Sequence, residues 1–384
     1  MNCVDTDIVI IGGGIAGLWT LATLRQRGFA AVLLEKDCLG GVQSIASQGI
    51  IHGGSKYALG GKISDATSTI SQMPALWRDA LNGNADVDLR GVQVLSDNQY
   101  LVPAAGIDTR LLSFLGSRTM ASYTETVKAA LLPAGLQQLG IHRTAFRLNE
   151  IVVDTRSVFA ALRDAHADAI YQASIAPQQI HNDPQTGWHT LQLDNNTCLR
   201  CRELVLAAGS GNAALTDSMP MQRRPLHMVM AKGRLPAVFA HFIGRSSKPL
   251  LTITSHPQGD DTIWYLGGDL AEKGVALDDG QQIDSTRKLL GKLLPDAAMI
   301  GQCEFATLHI DRAEPLQSGL RRPDDAFVER RNNIIIGWPT KLALAPRFAD
   351  KVLACLAICP AGNHRPPVLP LPSPALADYP WSRL

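Results

Sequence analysis

The sequence has no apolar run long enough to cross a bilayer as a helix, so a membrane-spanning protein is not expected. An excess of one charge is missing too. The formal net charge is +1 over 384 residues, and no basic stripe stands out, which argues against a nucleic-acid partner. Charged residues make up 18% against 46% hydrophobic, a balance that excludes a disordered chain. No charged segment precedes the first apolar run, Ile8–Ile11, which stops at Gly12. A secretory leader is therefore not expected, and the protein reads as cytoplasmic. Seven cysteines form no regular framework, which fits reduced thiols. Cys198 and Cys201 are a lone C-x-x-C. Three apart on a strand, they point to opposite faces, so no metal or redox role is expected of them. Cys355 and Cys359 read as packing residues of one helix. No metal site is expected, and no internal repeat is visible.

What is present begins at residue 6. Asp7–Ile11 is a continuous apolar run ended by glycine, as a buried parallel strand should be. Gly12, Gly14 and Gly17 satisfy G-x-G-x-x-G. Leu18–Gln26 has a helical pattern and Gly28 stops it. Ala31–Leu34 is a second strand, closed by Glu35. Each part has a physical task. Gly12 permits the tight turn, Gly14 lets backbone approach a pyrophosphate, and Gly17 lets helix and strand pack closely. The helix N-terminus offers free N–H groups and a partial positive charge. Glu35 stands near the offset, about 20 residues on, where a carboxylate accepts from ribose hydroxyls. Each such charged bond is worth roughly 1.5–3 kcal/mol. The motif alone is weak, but strand, motif, helix, strand and acid together specify a dinucleotide site.

The chain then runs through Gly40-Gly41-Val42-Gln43-Ser44-Ile45-Ala46-Ser47-Gln48-Gly49-Ile50-Ile51-His52-Gly53-Gly54. Small residues this dense suit backbone lying against an extended ligand. This segment resembles the D-amino-acid-oxidase superfamily of flavoproteins. Ile50-Ile51-His52-Gly53-Gly54-Ser55-Lys56-Tyr57, with Gly60, is most similar to the branch holding FAD-linked glycerol-3-phosphate dehydrogenase and L-2-hydroxyglutarate oxidase. Glu203–Gly211, an apolar strand ending in Ala-Ala-Gly, resembles that family's second cofactor-contacting strand. Asn333–Leu342, followed by a helix over 346–359, resembles the strand and loop that close over the flavin.

The resemblance implies an α/β fold: a Rossmann-like FAD-binding domain of the glutathione-reductase βαβ type, with an inserted α+β substrate domain built on an antiparallel sheet. Residues 1–85, 150–214 and 311–384 are expected in the first, and 86–149 and 215–310 in the second. Helix is expected at 154–169, 110–121 and 287–294. Strand is expected at 169–180, 91–95, 250–254 and 262–267, with a hairpin over 188–201. The tail, 360–384, is proline-rich and expected to be extended. FAD contacts are implied at Gly12, Gly14, Ile15, Ala16, Gly17, Glu35, Lys36, Ser44, Ser47, Gly49, Ala208, Gly209, Gly337, Pro339, Thr340, Lys341 and Leu342. A second G-x-G-x-x-G unit is missing, so bound NAD(P) is not expected.

In such an enzyme the flavin takes the electrons and the protein supplies positioning and a proton acceptor. His52 is the candidate acceptor, since histidine titrates near operating pH. A structural contact or a covalent flavin link are its other readings. Tyr57 is a candidate donor to a substrate oxyanion, or a core aromatic. Lys341 is a candidate cation beside the reduced ring, or a solvated loop lysine. Arg322, or Arg321 by a different spacing, matches a Gly-Leu-Arg-Pro element that holds a carboxylate in amine-oxidising relatives. His309, Arg312 and Glu314 either line the same face or form surface ion pairs. The expected activity is oxidation of a small, anionic CH–OH or CH–NH substrate, with O₂ or a quinone-linked acceptor. A flavin-binding assembly protein without turnover is the alternative; a flavin monooxygenase fits less well, because its Gly-Asp-Ala-Ala-His type element is absent.

Overall fold

Alternation explains why the second half of the opening strand Asn2–Ile11, residues Ile8–Ile11, is apolar without interruption. Ile8 and Ile10 enter one core cluster, with Leu18, Leu21 and Phe159. Val9 and Ile11 enter another, with Leu191, Leu204 and Trp338. Both faces are covered, so every position must be apolar. Ala31–Glu35 and Thr197–Leu206 flank this strand in parallel, and Ile334–Trp338 lies parallel beyond the second of them. The sheet is mixed and eight-stranded. Its path runs Phe327–Arg331, Ile334–Trp338, Thr197–Leu206, Asn2–Ile11, Ala31–Glu35, Ile170–Gln172, with a hairpin branch from 189–192 and 180–182. The computed structural model describes residues 2–54, 69–105, 124–193, 197–216, 219–244, 248–294, 296–317, 323–360 and 365–384.

Helix Ile15–Gln26 packs on the sheet and buries nearly every side chain, because helix Ala345–Cys355 covers its outer side. Trp19 and Trp77 meet there with ring centroids 4.6 Å apart. Helix Thr155–Ala165 opens on Asp154, whose carboxylate accepts from the Ser157 N–H at 2.7 Å. Such a cap is worth about 1 kcal/mol.

A second eight-stranded sheet runs 304–315, 221–233, 261–267, 249–258, 240–243, 99–103, 145–148, 124–127. Its core holds Phe242, Trp264 and Leu290. It departs from the expected antiparallel pattern at one place: Ala240–Ile243 and Gln99–Pro103 pair in parallel. The expected strand at 91–95 is Val94–Ser96, and it pairs with Val152–Val153 outside the large sheets. The expected strand at 169–180 is cut to Ile170–Gln172, and pairing resumes at Ile180–Asn182 after a turn at Pro177. The expected helix at 110–121 lies outside the described residues.

Three further expectations are corrected. Cys3 and Cys198 are cross-strand neighbours joined by a disulfide, so the thiols are not all reduced. Cys201 is a buried thiol, and burial pushes its ionisation far up. The last helix ends at Cys355, which leaves Cys359 exposed beyond it and not in the packing. The tail is extended and closely held. Leu39 and Ala375–Ala377 exchange backbone hydrogen bonds of 2.8 and 3.0 Å, and the Pro372 carbonyl accepts from Gln172 at 2.7 Å. Trp381 then stacks on His256, at 4.3 Å, in the second sheet. No helix among the described residues is long and apolar enough to cross a membrane.

Candidate functional site

The glycine turn sits at the carboxyl end of the central strand, where open α/β sheets bind ligands. Gly12 has φ +115°, and a Cβ there would lie 2.6 Å from the Ala207 carbonyl oxygen. A Cβ on Gly17 would lie 1.9 Å from the Gly12 oxygen, so helix and turn can pack this closely only through glycine. Gly14 is different. A Cβ there would meet just the Ser44 hydroxyl at 3.0 Å, so its surroundings are open to a ligand. Gly14 caps the helix without a side-chain bond, and the Ser44 hydroxyl accepts from the Ile15 N–H at 3.2 Å. The N–H groups of Ala16 and Gly17 come too early in the helix for intrahelical partners.

Glu35 reaches back to this turn. One carboxylate oxygen accepts from the Gly13 N–H at 2.6 Å and the other from the Asp37 N–H at 2.9 Å. Each keeps a lone pair for a further donor. Lys36 is exposed and its ammonium lies 3.3 Å from Asp37. Ser44 and Ser47 belong to a turn after Gly40, and the Ser47 hydroxyl accepts from the Gly49 N–H at 3.4 Å. Gly49 has φ +70°, and a Cβ there would strike the Val153 carbonyl at 2.0 Å.

On the other side, the Ala-Gly turn and the late loop are tied together. The buried Asn212 carboxamide accepts from the Ala208 N–H at 2.9 Å and donates to the Gly337 carbonyl at 3.2 Å. The Trp338 indole donates to the Gly209 carbonyl at 2.8 Å. Gly209 has φ +59° with open space around a notional Cβ. Thr340 also has positive φ, +62°, unusual for a β-branched residue and a mark of a constrained loop. Pro339 and Leu342 are half-buried beside it. The Lys341 ammonium lies 3.4 Å from the Asp324 carbonyl. Open backbone at Gly14 and Gly209, a helix N-terminus, and an acid at the strand end fit a dinucleotide such as FAD.

His52 follows the small-residue segment. Residues 49–53 run antiparallel to 150–153, through an Ile50–Val152 bridge and an Ile51 N–H bond of 2.9 Å to the Ile151 carbonyl. That pairing places the Glu150 carboxylate under the histidine: Oε2 is 3.1 Å from His52 Nδ1, and Oε1 accepts from the Gly53 N–H at 3.0 Å. His241 lies beyond, with Nε2 3.8 Å from the same Oε2 and Nδ1 2.8 Å from the Thr252 hydroxyl. Burial alone would push Glu150 up, but hydrogen bonding to His241 and the charge of His52 hold its carboxyl well below the usual range. Glu150 is 2% exposed and His52 half-buried, so a fixed anion backs an accessible imidazole.

Glu150 and His241 were not singled out from sequence. A carboxylate abutting the apolar run Ile151–Val153 is the signal that was available. Tyr57, Arg321 and Arg322 lie outside the described residues. Arg312 and Glu314 share one network, in which Arg312 approaches Glu272 at 3.7 Å and Arg224 pairs with both Glu272, at 3.6 Å, and the buried Glu314, at 3.2 Å; His309 lies apart and stacks on His227 at 3.7 Å.

Comparison with known proteins gives a consistent result. Residues 7–339 match the family described as FAD dependent oxidoreductase. The chain is 44% identical over 391 residues to the Probable FAD-dependent oxidoreductase PA4991 of Pseudomonas aeruginosa, covering 99% of this chain and 98% of that one. The crystal structure of that protein superposes with a TM-score of 0.82 at 41% identity, covering 100% of this chain and 99% of the other. A shorter match, 45% over 51 residues, covers 13% of this chain and 10% of a glycerol-3-phosphate dehydrogenase of Pseudomonas tolaasii. The dithionite-reduced, FAD-bound L-alpha-glycerophosphate oxidase of Mycoplasma pneumoniae shares the fold, with a TM-score of 0.67 at 14% identity over 94% of this chain and 98% of that one.

Proposed function

Because the chain belongs to the FAD dependent oxidoreductase family, we propose that it oxidises a small, anionic CH–OH or CH–NH substrate, with His52 as the proton acceptor. FAD, when bound, supplies a two-electron acceptor for the hydride. The glycine turn and the N-terminus of helix Ile15–Gln26 hold the diphosphate, and Glu35 takes the ribose hydroxyls. Lys36, Ser44, Ser47, Gly49, Ala208, Gly209 and residues 337–342 line the remainder. The flavin domain takes the first sheet and the substrate domain the second, whose strand Glu304–Pro315 runs past the boundary set at residue 310.

The observation that carries the reading is the His52–Glu150 pair. With Nδ1–H donated to the carboxylate, Nε2 is the ring nitrogen that would take the substrate proton. The buried anion then stabilises the imidazolium formed as the proton arrives, as a carboxylate does behind a catalytic histidine. Tyr57 and Arg322 hold the substrate's negative charge, and Lys341 offsets charge at the reduced ring. The electron acceptor would be O₂ or a quinone-linked carrier. Two of the similar proteins, a glycerol-3-phosphate dehydrogenase and a glycerophosphate oxidase, support an anionic alcohol as the first class to try. The proline-rich tail is the one sequence feature that leans toward a flavin-binding protein without turnover, and it is engaged by the chain's own sheets.

The test is an anaerobic screen of glycerol phosphate, 2-hydroxy acids and amino acids against the yellow holoprotein. Bleaching by one of them, slowed at least 100-fold in His52→Asn with flavin retained, is expected. Undiminished bleaching in that variant would remove His52 from the role.

A further inference from the structure

Outside the flavin site, two histidines meet across the antiparallel strands 221–233 and 304–315. His227 and His309 are direct cross-strand partners, with ring centroids 3.7 Å apart. Asp279, in the first turn of helix Asp279–Leu293, closes the group. Its Oδ1 lies 3.2 Å from His227 Nε2 and 3.7 Å from His309 Nε2.

The hydrogen bonding of His227 shows what this arrangement lacks. Its Nδ1 is 2.9 Å from the Gly274 carbonyl, which can only accept, so Nδ1 carries the proton. Nε2 of the neutral ring is then a bare lone pair, and it faces a carboxylate oxygen. Two acceptors at 3.2 Å need a positive centre between them. Asp279 and His309 are exposed, so a cation can enter from solvent.

We propose that His227 Nε2, His309 Nε2 and Asp279 Oδ1 form a binding site for a divalent transition-metal ion of the zinc class. The three ligand atoms lie within 4.8 Å of one another. Metal bonds of about 2.0–2.1 Å in a tetrahedron place ligands roughly 3.3 Å apart, and imidazole with one carboxylate is a set that zinc accepts. His309, on its exposed side chain, supplies the adjustment that brings its lone pair onto the ion. The outer contacts are those of a built site. Gly274 fixes the His227 tautomer, Gln282 donates to the His227 carbonyl at 2.7 Å, and the Thr307 hydroxyl donates to Asp279 at 2.7 Å. The fourth position is left to water, and none of the three residues belongs to the proposed flavin machinery.

The experiment is calorimetric titration of chelator-treated, FAD-loaded protein with ZnCl₂, in parallel with His309→Ala and Asp279→Asn. The two substituted side chains are exposed, so folding and the flavin spectrum serve as unchanged controls. One zinc per chain is expected, with affinity falling at least tenfold in each variant and the zinc-induced rise in Tm falling with it. Absence of stoichiometric binding, or binding with unchanged affinity in His309→Ala, overturns the assignment.

Discussion

Nδ1 of His52 lies 3.1 Å from the Glu150 carboxylate, although 98 residues separate the two in sequence. Replacing that carboxylate by its amide keeps the volume and removes the charge. Glu150→Gln is expected to retain FAD and lower kcat/KM about 10–100-fold, with most of the loss in kcat. Stopped-flow reduction of the flavin by substrate would show it, and an unchanged rate constant would confine Glu150 to packing.

Gly14 and Gly17 belong to one motif but should fail differently. A Cβ on Gly17 meets the Gly12 carbonyl oxygen at 1.9 Å, so Gly17→Ala must separate helix from turn, at about 3 kcal/mol or more. Gly14→Ala meets a single hydroxyl that can rotate away. It is expected to give folded protein with little flavin. Urea unfolding and the bound-flavin ratio, measured on both, separate the two outcomes.

Asn212 is 1% exposed and bridges the two late turns. Asn212→Ala leaves the Ala208 N–H and the Gly337 carbonyl without this partner. A loss of about 2–4 kcal/mol is expected, with weaker FAD retention on dilution. Wild-type retention would mean that these turns hold their spacing by other means.

Acid should destabilise the protein before its carboxylates titrate. Burial lowers His166 to about 4, with Arg25 adding to the effect, and burial lowers His256 to about 3. Both lie below the unfolded value of about 6.5. The folded state therefore binds fewer protons than the unfolded state under mild acid. The contribution of these histidines is complete above pH 6.5 and is lost as pH falls through their folded values. Each adds a slope of about 1.4 kcal/mol per pH unit between roughly pH 6 and 4. His256→Gln is expected to remove one such increment from the pH dependence of urea unfolding, and an unaltered slope would contradict a buried neutral His256.

The flavin half of the fold was legible because its signals are local. The Ile8–Ile11 run, the three glycines and Glu35 fall within one continuous stretch, and each residue type is dictated by steric or charge demands at its own position. Glu203–Gly211 and Asn333–Leu342 could be read for the same reason. Glu150 could not, because its tie to His52 depends on the antiparallel pairing of 49–53 with 150–153, which no spacing encodes. The same holds for His227 and His309, which meet through the register of two strands, and for Cys3 and Cys198, which meet through a parallel pairing. The C-x-x-C spacing sets Cys198 beside Cys201 in sequence, whereas the partner of Cys198 lies near the start of the chain. Pro177 carried a readable warning that strand 169–180 would break.

The central strand, Asn2–Ile11, takes its neighbours from residues 31–35 and 197–206, and the next strand outward comes from 334–338. Folding of this sheet is therefore governed by contacts of very large sequence separation, which slows a folding reaction by loop-closure entropy. On the ribosome the glycine turn emerges early and waits for most of the chain before its opposite wall exists. If the late loop lines the flavin site as proposed, flavin capture is expected to follow completion of the whole fold. A fragment ending before residue 334 would carry the glycine motif and still lack the strand that pairs with Leu204–Leu206, and it is expected to bind flavin poorly.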